Sequence, residues 1–418
     1  MAEHTGAEHT GAEHTGAENT DVVVIGGGYA GVMAANRLTL RDDVTVTLVN
    51  PRPTFVHRIR LHQLVGGSDD AVVDYRDVLG ERVRLVVDTA TRIDAAGRHV
   101  TLASGEVVGY DYLVYAVGSG SADPDVPGAA EFAYPIATLE EARRLRPVLD
   151  AAPATAAVTV VGAGPTGIEI AAELAEAGRA VTLVCGGVLG PYLHRRGRRS
   201  VAGRLAELGV TVLDGPGSSV TAVTRDAVRL ADGRELPSEV TVWTAGFGVP
   251  DLAARSGLSI DALGRLRTDE TLTSVDDERV VAAGDSAAPS DLPLRMSCQA
   301  AIPLGARAAD TVLSRIAGER PAPLNQAFAG QCISLGRRAG IFQFAHRYDE
   351  ALWFHIDGRP GARLKEFVCG GIVKHLAGEA RKPGSYRLHR VSGGARRQQL
   401  LAGRDETPAT AERAVQAP

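Results

Sequence analysis

The chain has 418 residues and a formal net charge of −5, and 44% of its residues are hydrophobic while 23% are charged. This length predicts two or three domains with a sizeable core, and the acidic balance argues against nucleic acid as a partner. The sequence has neither a run of about 18 apolar residues nor a basic start followed by an apolar stretch. We therefore expect no transmembrane segment, no secretory signal and a cytoplasmic location.

Two features of the sequence bear on metal binding, the N-terminal repeat and the cysteines. The unit Ala-Glu-His-Thr-Gly recurs through the first 20 residues, and such a polar repeat cannot bury enough apolar surface to order itself. We predict a disordered tail over 1–20, with a weak metal site at its histidines as the alternative. The four cysteines lack CxxC spacing, so we expect mostly buried thiols and no metal centre.

Two segments of the chain share one order of predicted elements: strand, glycine-rich turn, helix, strand. The first comprises a strand over 22–25, the turn 26–31, a helix over 30–40 and a strand over 44–49. The second comprises a strand over 158–161, the turn 162–167, a helix over 168–177 and a strand over 180–184. Their continuous apolar runs are typical of strands buried on both faces. Later glycines, Gly105 with Gly233 and Gly118 with Gly246, repeat at one spacing, which indicates two homologous units.

Both turns follow the GxGxxG pattern between a strand and a helix, which is the context of a dinucleotide site. The glycines of the pattern are Gly26, Gly28 and Gly31 in the first turn and Gly162, Gly164 and Gly167 in the second. The first glycine of each allows a tight turn, the second lets the backbone approach a pyrophosphate, and the third lets helix and strand pack closely. Two such sites in one chain indicate a flavin and a nicotinamide, whose rings must stack for hydride transfer.

In dinucleotide sites of this kind an Asp or Glu about 20 residues after the turn usually binds the ribose hydroxyls. Neither unit of this chain has an acid at that position. Asn50 stands there in the first unit and Cys185 in the second, where no acid is adjacent in sequence. The arginines of 195–199, beginning with Arg195, follow closely. A site without an acid repels a 2′-phosphate less and an arginine can pair with it, so NADPH is favoured over NADH. The alternative for these arginines is a solvated helix start.

The rest of the sequence predicts a strand over 278–285 that ends in Gly284-Asp285, a helix over 299–316, and a small domain within 328–376.

The two turns, the strand end Ala116-Val117-Gly118 and Gly284-Asp285 occur in the order found in flavoproteins of the pyridine nucleotide-disulfide oxidoreductase superfamily. The chain resembles these proteins over about residues 21–317. Within them it is most similar to the type II NADH dehydrogenase group, because its length fits and residues 51–63 contain no cysteine and therefore no redox dithiol.

The resemblance implies an α/β fold with two Rossmann-like, three-layer ββα dinucleotide-binding domains, the second inserted in the first, and a small α+β C-terminal domain. The predicted boundaries are the tail 1–20, an FAD-binding domain in two parts over 21–153 and 249–322, an NAD(P)H-binding domain over 154–248, the C-terminal domain over 323–380 and a mobile tail over 381–418.

The resemblance also implies roles for individual residues. Asp285 is expected to hydrogen-bond the ribityl chain, and the helix that starts near Gln299 to point its N-terminus at the flavin pyrimidine edge. The segment 55–63 is expected beneath the isoalloxazine, with surface charge on a helix as the alternative. Glu169, which would position the nicotinamide or handle a proton, and Gln299 are the catalytic candidates. The expected cofactor contacts are Gly26, Gly28, Tyr29, Ala30, Gly31, Asn50, Pro51, Arg58, Ala116, Val117, Gly118, Gly162, Gly164, Pro165, Thr166, Gly167, Cys185, Arg195, Ala245, Gly246, Gly284, Asp285, Gln299 and Ala300.

The acceptor is the least specific part of the prediction. Quinone-reducing members carry a run resembling Ala-Gln-x-Ala-x-Gln-Gln after Gly-Asp, whereas this chain has Pro303 and Leu304 at the last pair. We expect a small organic acceptor, namely a quinone, a quinone-like metabolite or O₂. The alternatives are a reductase of a ferredoxin-like protein partner and a slow flavin redox sensor or scaffold. The polar C-terminal segment argues against membrane association, and a homodimer is left open.

Overall fold

The computed structural model describes residues 19–405. Residues 1–18 and 406–418 lie outside this range, and with them most of the predicted N-terminal tail and the end of the predicted C-terminal tail.

The first segment of the chain builds most of one parallel sheet and the elements that cover it. It contains β1 (Thr20–Ile25), α1 (Tyr29–Leu38), β2 (Val44–Asn50), β3 (Thr54–Val56), α2 (Leu61–Gly66), β4 (Val72–Asp74), α3 (Tyr75–Val78), β5 (Val83–Val87), β6 (Ala90–Asp94), β7 (His99–Leu102), β8 (Val107–Gly109), β9 (Tyr112–Tyr115), β10 (Gly120–Ser121), α4 (Ala129–Phe132), β11 (Ala133–Pro135) and α5 (Leu139–Ala151). Strands β9, β1, β2 and β5 lie side by side in this sheet. Its apolar strands are buried on both faces, as continuous valine-rich runs predict.

The second segment repeats the same architecture. It contains β12 (Ala157–Val161), α6 (Pro165–Glu176), β13 (Ala180–Val184), α7 (Arg195–Glu207), β14 (Thr211–Leu213), β15 (Val220–Val223), β16 (Ala227–Leu230), β17 (Glu235–Pro237), β18 (Val240–Trp243) and β19 (Phe247–Gly248). Its parallel sheet has the order β11-β18-β12-β13-β14, and β15-β16-β17 form an antiparallel layer like β6-β7-β8 in the first segment. The two layers and the helices form the predicted three-layer unit twice.

The third segment returns to the first sheet. It contains α8 (Leu252–Arg255), β20 (Leu266–Thr268), β21 (Val280–Ala282), β22 (Ala287–Pro289) and α9 (Cys298–Ile316). Strand β21 pairs with β9, so the full order is β21-β9-β1-β2-β5 and the second unit is inserted in the first, as predicted. Helix α9 packs closely on α1, because a Cβ at Gly305 would lie 2.2 Å from the Ala30 carbonyl oxygen.

The C-terminal segment forms a small α+β domain, as predicted. It contains β23 (Gly330–Ser334), β24 (Gly340–Ala345), β25 (Ala351–Ile356), α10 (Gly358–Arg381) and α11 (Arg396–Asp405). The three strands form an antiparallel sheet, and α10 packs both on this sheet and on α1. Within the described range, no helix combines the length and the apolar character needed to cross a bilayer.

The described part of 381–418 differs from the mobile tail that its polar composition predicts. Glu379 is fully buried at the end of α10 and accepts hydrogen bonds from the N–H groups of Gly384 and Tyr386, both at 2.7 Å. The Arg37 guanidinium on α1 donates to the same carboxylate at 3.0 Å, and the Tyr386 ring is buried. One buried carboxylate therefore fixes the backbone after α10 to the body of the protein.

Candidate functional site

The first glycine turn has the geometry of a phosphate-binding loop. Gly26 has a φ of +104°, and a Cβ there would lie 2.3 Å from the Ala116 carbonyl oxygen. A Cβ on Gly31 would lie 1.8 Å from the Gly26 carbonyl oxygen, whereas a Cβ on Gly28 would meet nothing within 4 Å. Gly28 caps α1 without a side-chain hydrogen bond, so the first N–H groups of the helix face open space. A pyrophosphate fits this arrangement.

The second glycine turn matches the first closely. Gly162 has a φ of +107°, and a Cβ on Gly167 would lie 1.8 Å from its carbonyl oxygen. A Cβ on Gly164 would meet nothing within 4 Å, and Pro165 occupies the first turn of α6, where its missing N–H costs nothing. The Thr244 hydroxyl donates to the Val161 carbonyl at 2.9 Å and holds the end of β18 against the turn. This turn can hold a second pyrophosphate.

Asn50 shapes the first turn from the end of β2. Its Oδ1 accepts from the Gly27 N–H at 2.9 Å, and its Nδ2 donates to the Arg52 carbonyl at 2.8 Å. The Tyr75 hydroxyl donates to the Gly27 carbonyl at 2.8 Å. The Asn50 oxygen still has a second lone pair for a ribose hydroxyl, so the residue can serve the turn and the ribose together.

A hydrogen-bonded group surrounds Asp285 at the end of the first sheet. The Ser119 hydroxyl donates to Asp285 Oδ2 at 2.7 Å. Arg58 Nη1 donates to the Ser119 carbonyl at 2.9 Å and lies 3.7 Å from the Asp285 carboxylate. The Arg58 guanidinium also stacks over the Phe247 ring at 5.6 Å from its centroid. Ser119 was not predicted, although its position directly after Gly118 could have indicated it.

Segment 55–63 is buried or half-buried along its whole length, so it does not form the exposed, charged helix face of the alternative interpretation. His57, His62 and Gln63 are 3%, 3% and 1% exposed. His57 Nδ1, His62 Nε2 and Gln63 Nε2 are buried without a hydrogen-bond partner among the described residues. Unpaired buried polar atoms are uncommon and indicate a bound ligand or ordered water. Tyr29 packs edge-to-face on Phe55 of the same segment, with ring centroids 5.4 Å apart.

The Gln299 amide is held by the backbone of the C-terminal domain. In the amide orientation that satisfies both atoms, it donates to the Gly330 carbonyl at 2.8 Å and accepts from the Ala329 N–H at 3.2 Å. Ser297 caps α9 just before it by accepting from the Ala300 N–H at 3.3 Å. Gln299 therefore joins α9 to the start of β23, and its amide keeps one N–H and one oxygen lone pair for another partner.

Glu169 lies in a buried cluster that joins the first, second and C-terminal segments of the fold. Its Oε1 accepts from Lys365 Nζ of α10 at 2.7 Å and from the Ser334 N–H of β23 at 3.0 Å. His62 Nδ1 of α2 lies 3.5 Å from the other carboxylate oxygen. Lys365 is only 4% exposed and Glu169 only 6%. Lys365 was not predicted, because nothing in its local sequence distinguishes it from a surface lysine.

The charges of this cluster depend on one another. Burial would raise the pKa of Glu169, but the Lys365 ammonium, the His62 imidazole and the Ser334 N–H together hold that pKa below its ordinary value. Burial alone would lower the pKa of Lys365, and the Glu169 carboxylate instead raises it well above its ordinary value. Burial lowers the pKa of His62 to about 4 despite the nearby carboxylate. At neutral pH the cluster thus holds an ionised pair and a neutral imidazole.

An acid lies beside Cys185 in space although none is adjacent in sequence. Val184 pairs with Leu213 in the parallel register of β13 and β14, and the Cys185 N–H donates to the Leu213 carbonyl at 2.8 Å. Asp214 follows β14 at this edge, and burial together with its charge raises the pKa of the Cys185 thiol to about 12. The Asp214 carboxylate is exposed and makes no hydrogen bond or ion pair within the described range. Gly186 is open, since a Cβ there would meet nothing within 4 Å.

Two arginines at the start of α7, Arg195 and Arg196, contact the C-terminal domain. Arg195 lines a cavity of about 440 Å³ together with Tyr192, Arg295 and Gln331, next to the C-terminal sheet. Arg196 stacks on Trp353 of that sheet. Arg198 Nε instead donates to the Gly190 carbonyl at 3.2 Å, in the loop whose Gly190 N–H donates to the Ala163 carbonyl of the second turn at 3.1 Å.

The structure therefore gathers the predicted residues into two groups. Around the first turn lie Tyr29, Ala30, Asn50, Arg58, Ala116, Val117, Gly118, Gly284, Asp285 and Ala300, whereas the Gln299 amide contacts the C-terminal domain. Around the second turn lie Thr166, Cys185, Ala245 and Gly246, whereas Arg195 faces the C-terminal domain.

Comparison with known proteins agrees with this arrangement. The chain is 33% identical over 355 residues to an NADH dehydrogenase-like protein of Mycobacterium tuberculosis, covering 77% of this chain and 87% of the relative. It is 30% identical over 350 residues to a type II NADH:quinone oxidoreductase of the same organism, covering 72% of this chain and 74% of the relative.

The fold is similar to that of the sulfide:quinone oxidoreductase of Aquifex aeolicus, with a TM-score of 0.74, 21% identity, and coverage of 87% of this chain and 93% of that one. Residues 20–305 match the family described as pyridine nucleotide-disulphide oxidoreductase. Since the family match covers more than half of the chain and the fold contains two Rossmann-like units, the chain belongs to the pyridine nucleotide-disulphide oxidoreductase family, in the group of its NADH dehydrogenase-like members.

Proposed function

We propose that this protein is an FAD-dependent NAD(P)H oxidoreductase that passes a hydride from nicotinamide to flavin and electrons onward to a small organic acceptor. The observation that carries the proposal is the pair of glycine turns, which open at Gly28 and Gly164 onto free space before uncapped helix N-termini. FAD supplies, when bound, the ring that accepts the hydride. Relatives named NADH dehydrogenase-like and type II NADH:quinone oxidoreductase support the same reaction.

The first unit supplies the groups that would hold FAD. The N–H groups at the start of α1 face the pyrophosphate, and Asn50 accepts from the ribose. Asp285, held by Ser119 and Arg58, accepts from ribityl hydroxyls. The N-terminus of α9, capped by Ser297, brings the positive end of a helix dipole to the flavin and favours negative charge there.

Glu169 and Lys365 act as one unit in this proposal. Lys365 Nζ keeps its proton at neutral pH because Glu169 lies 2.7 Å away. The pair thus offers a fixed cation and an N–H donor to a bound nicotinamide or acceptor, and Glu169 is the positioning residue for that donor. Gln299 positions the C-terminal domain against α9.

We infer that NADH is preferred over NADPH, against the sequence-based expectation. Asp214 provides the acid that is missing beside Cys185, and a carboxylate there would accept from ribose hydroxyls and repel a 2′-phosphate. Arg195 and Arg196, which favoured NADPH in the sequence, face the C-terminal domain.

The nucleotide preference can be tested by neutralising one carboxylate. In Asp214→Asn the ratio of kcat/KM for NADH to that for NADPH should fall about tenfold, which corresponds to about 1.4 kcal/mol of lost repulsion and hydrogen bonding. Asp77→Asn is the matched control, since it removes the same charge from an exposed position on α3 of the first unit. An unchanged ratio in Asp214→Asn would contradict the assignment.

The acceptor that we propose is a quinone, a quinone-like metabolite or O₂, reduced in the cytoplasm. The unpaired polar atoms of His57, His62 and Gln63 support a polar ligand near segment 55–63. The named quinone oxidoreductases support a quinone. Pro303 and Leu304 replace the glutamine pair of quinone-reducing relatives, so menaquinone and benzoquinone analogues and O₂ should be compared directly.

Anaerobic stopped-flow of the purified full chain tests the function as a whole. Mixing with NADH should rapidly bleach the absorbance of oxidised flavin, and adding an acceptor should restore it. A chain that contains flavin but is not bleached by either nucleotide would refute the proposal. Rapid bleaching without turnover by any small acceptor would favour the ferredoxin-like partner, and a long-lived reduced complex the redox sensor.

A further inference from the structure

A basic cleft lies between the C-terminal end of α1 and the segment that follows α10. Its volume is about 480 Å³. Its lining includes Arg37, Leu40, Lys382, Ser385, Arg387 and Arg390, and none of the described lining residues is acidic. Helix α1 has ten residues and is therefore about 15 Å long, and the first glycine turn lies at its opposite end. The basic cleft is thus separate from the first glycine turn, and none of its lining residues belongs to the second unit.

The two carboxylates beneath the basic cleft, Asp310 and Glu379, share the Arg37 guanidinium. Arg37 Nε donates to Asp310 at 2.5 Å, and Arg37 Nη1 donates to Glu379 at 3.0 Å. His389 Nε2 adds a second contact to Asp310 at 2.9 Å. In contrast, the exposed side chains of Lys382, Arg387 and Arg390, here called the outer cations, make no hydrogen bond or ion pair with the part of the chain that the structure describes. The basic cleft therefore carries an excess of positive charge.

The excess charge also affects a neighbouring arginine. Burial, together with the positive charges of Arg37 and Arg390, lowers the pKa of the Arg307 guanidinium even though Asp310 opposes the shift. Arg307 donates to the His389 carbonyl at 3.2 Å from the adjacent face of α9. An anion in the basic cleft would relieve this repulsion.

The backbone that carries the outer cations is rigidly placed. Glu379 accepts from the Gly384 N–H at 2.7 Å, the Ser385 hydroxyl at 3.2 Å and the Tyr386 N–H at 2.7 Å. Gly384 has a φ of +81°, and a Cβ there would lie 3.1 Å from the Leu40 side chain. The segment is thus preorganised, which reduces the ordering cost of binding.

We propose that the basic cleft binds a phosphate group, carried by a phosphorylated small molecule or by a phospholipid. A phosphate presents several oxygens and concentrated negative charge, which the fork of a guanidinium matches with paired hydrogen bonds. Arg387 and Arg390 provide two such forks, and Lys382 provides a further point charge. The Ser385 hydroxyl, whose hydrogen bond to Glu379 uses its proton, retains lone pairs only, so the cations carry the recognition.

Calorimetric titration of the FAD-loaded full chain with inorganic pyrophosphate at low ionic strength, with saturating NAD⁺ present to occupy the second glycine turn, tests the proposal. The native protein should bind pyrophosphate, and Arg387→Ala/Arg390→Ala should weaken binding about tenfold or more. Arg143→Ala/Arg144→Ala is the matched control, because it removes two exposed arginines from α5. NADH-dependent flavin reduction and thermal stability should be unchanged in both variants.

Co-sedimentation with vesicles separates the two sources of phosphate. Retention on vesicles that contain phosphatidylglycerol, but not on phosphatidylcholine alone, assigns the cleft to an anionic lipid headgroup if Arg387→Ala/Arg390→Ala abolishes it. Pyrophosphate binding without vesicle binding assigns it to a free phosphorylated ligand. Absence of both, or equal losses in the cleft variant and the control variant, would overturn the proposal.

Discussion

Replacing Lys365 with methionine should destabilise the protein strongly, because it leaves the Glu169 carboxylate buried without its cation. Lys365 Nζ is 2.7 Å from Glu169, and the two side chains are 6% and 8% exposed. Breaking one partner of such a buried pair costs about 3–5 kcal/mol. The Ser334 N–H still donates to Glu169 in this variant, so the lower part of that range is expected. In Lys365→Met/Glu169→Gln the loss should be smaller than in the single variant, since no charge is then left uncompensated.

Urea unfolding of the FAD-loaded protein, followed by fluorescence and circular dichroism, measures these changes. The control is Arg229→Met, because Arg229 and Glu235 are also 2.7 Å apart but their side chains are 59% and 55% exposed. Solvent screening limits the effect at that pair to about 1 kcal/mol or less. Equal losses at the two pairs, or a double variant less stable than Lys365→Met, would refute the reasoning.

Three further expectations follow from geometry and burial. Gly31→Ala should abolish flavin binding or folding because its Cβ would lie 1.8 Å from a carbonyl oxygen, whereas Gly28→Ala should fold and lose flavin more readily on gel filtration. Normal flavin content in Gly31→Ala would contradict this. Ser119→Ala should raise the Kd for FAD about tenfold by removing a hydrogen bond to Asp285, measured by titration of the apoprotein. Burial lowers the pKa values of His57 and His62 to about 4, so the unfolded state binds more protons below pH 6.5. The contribution of these histidines to the unfolding free energy should therefore be at its maximum above pH 6.5. It should fall towards pH 4 by about 1.4 kcal/mol per pH unit for each histidine. An unfolding free energy that does not change over this range would argue against their burial.

The elements that carry strong local patterns were predictable. Strand β13 has the predicted bounds, and α9 begins one residue before its predicted start at Gln299. Both glycine turns were predicted because backbone conformation at Gly26 and Gly162 restricts the residue type directly. The inserted topology was predictable only through the family resemblance, since no local pattern states that β21 pairs with β9.

The residues that the sequence did not reveal depend on contacts between distant segments. Asp214 lies beside Cys185 because of the register between the parallel strands β13 and β14. Helix α7 separates these strands in the chain, so the local sequence does not reveal their register. Lys365 lies 196 positions from Glu169, and its pairing depends on how α10 packs. The order after α10 was missed because the polar composition of 381–418 does not show that Glu379 is buried. A polar composition indicates that a segment favours exposure to solvent, but hydrogen bonds to a single buried carboxylate can hold its backbone in place.

The insertion of one unit into the other also has a consequence for synthesis on the ribosome. Strand β9 remains an unpaired edge until β21 is made, and the whole second unit is translated between them. The second unit receives all the strands of its own sheet by Trp243, so it can close while the first is still missing an edge strand and the helix that covers α1. Exposed edges of this kind invite pairing with other chains. Nascent chains that stop before Val280 should therefore aggregate through β9. Early folding of the inserted unit also shortens the flexible chain between β9 and β21, which lowers the entropy cost of pairing these two strands.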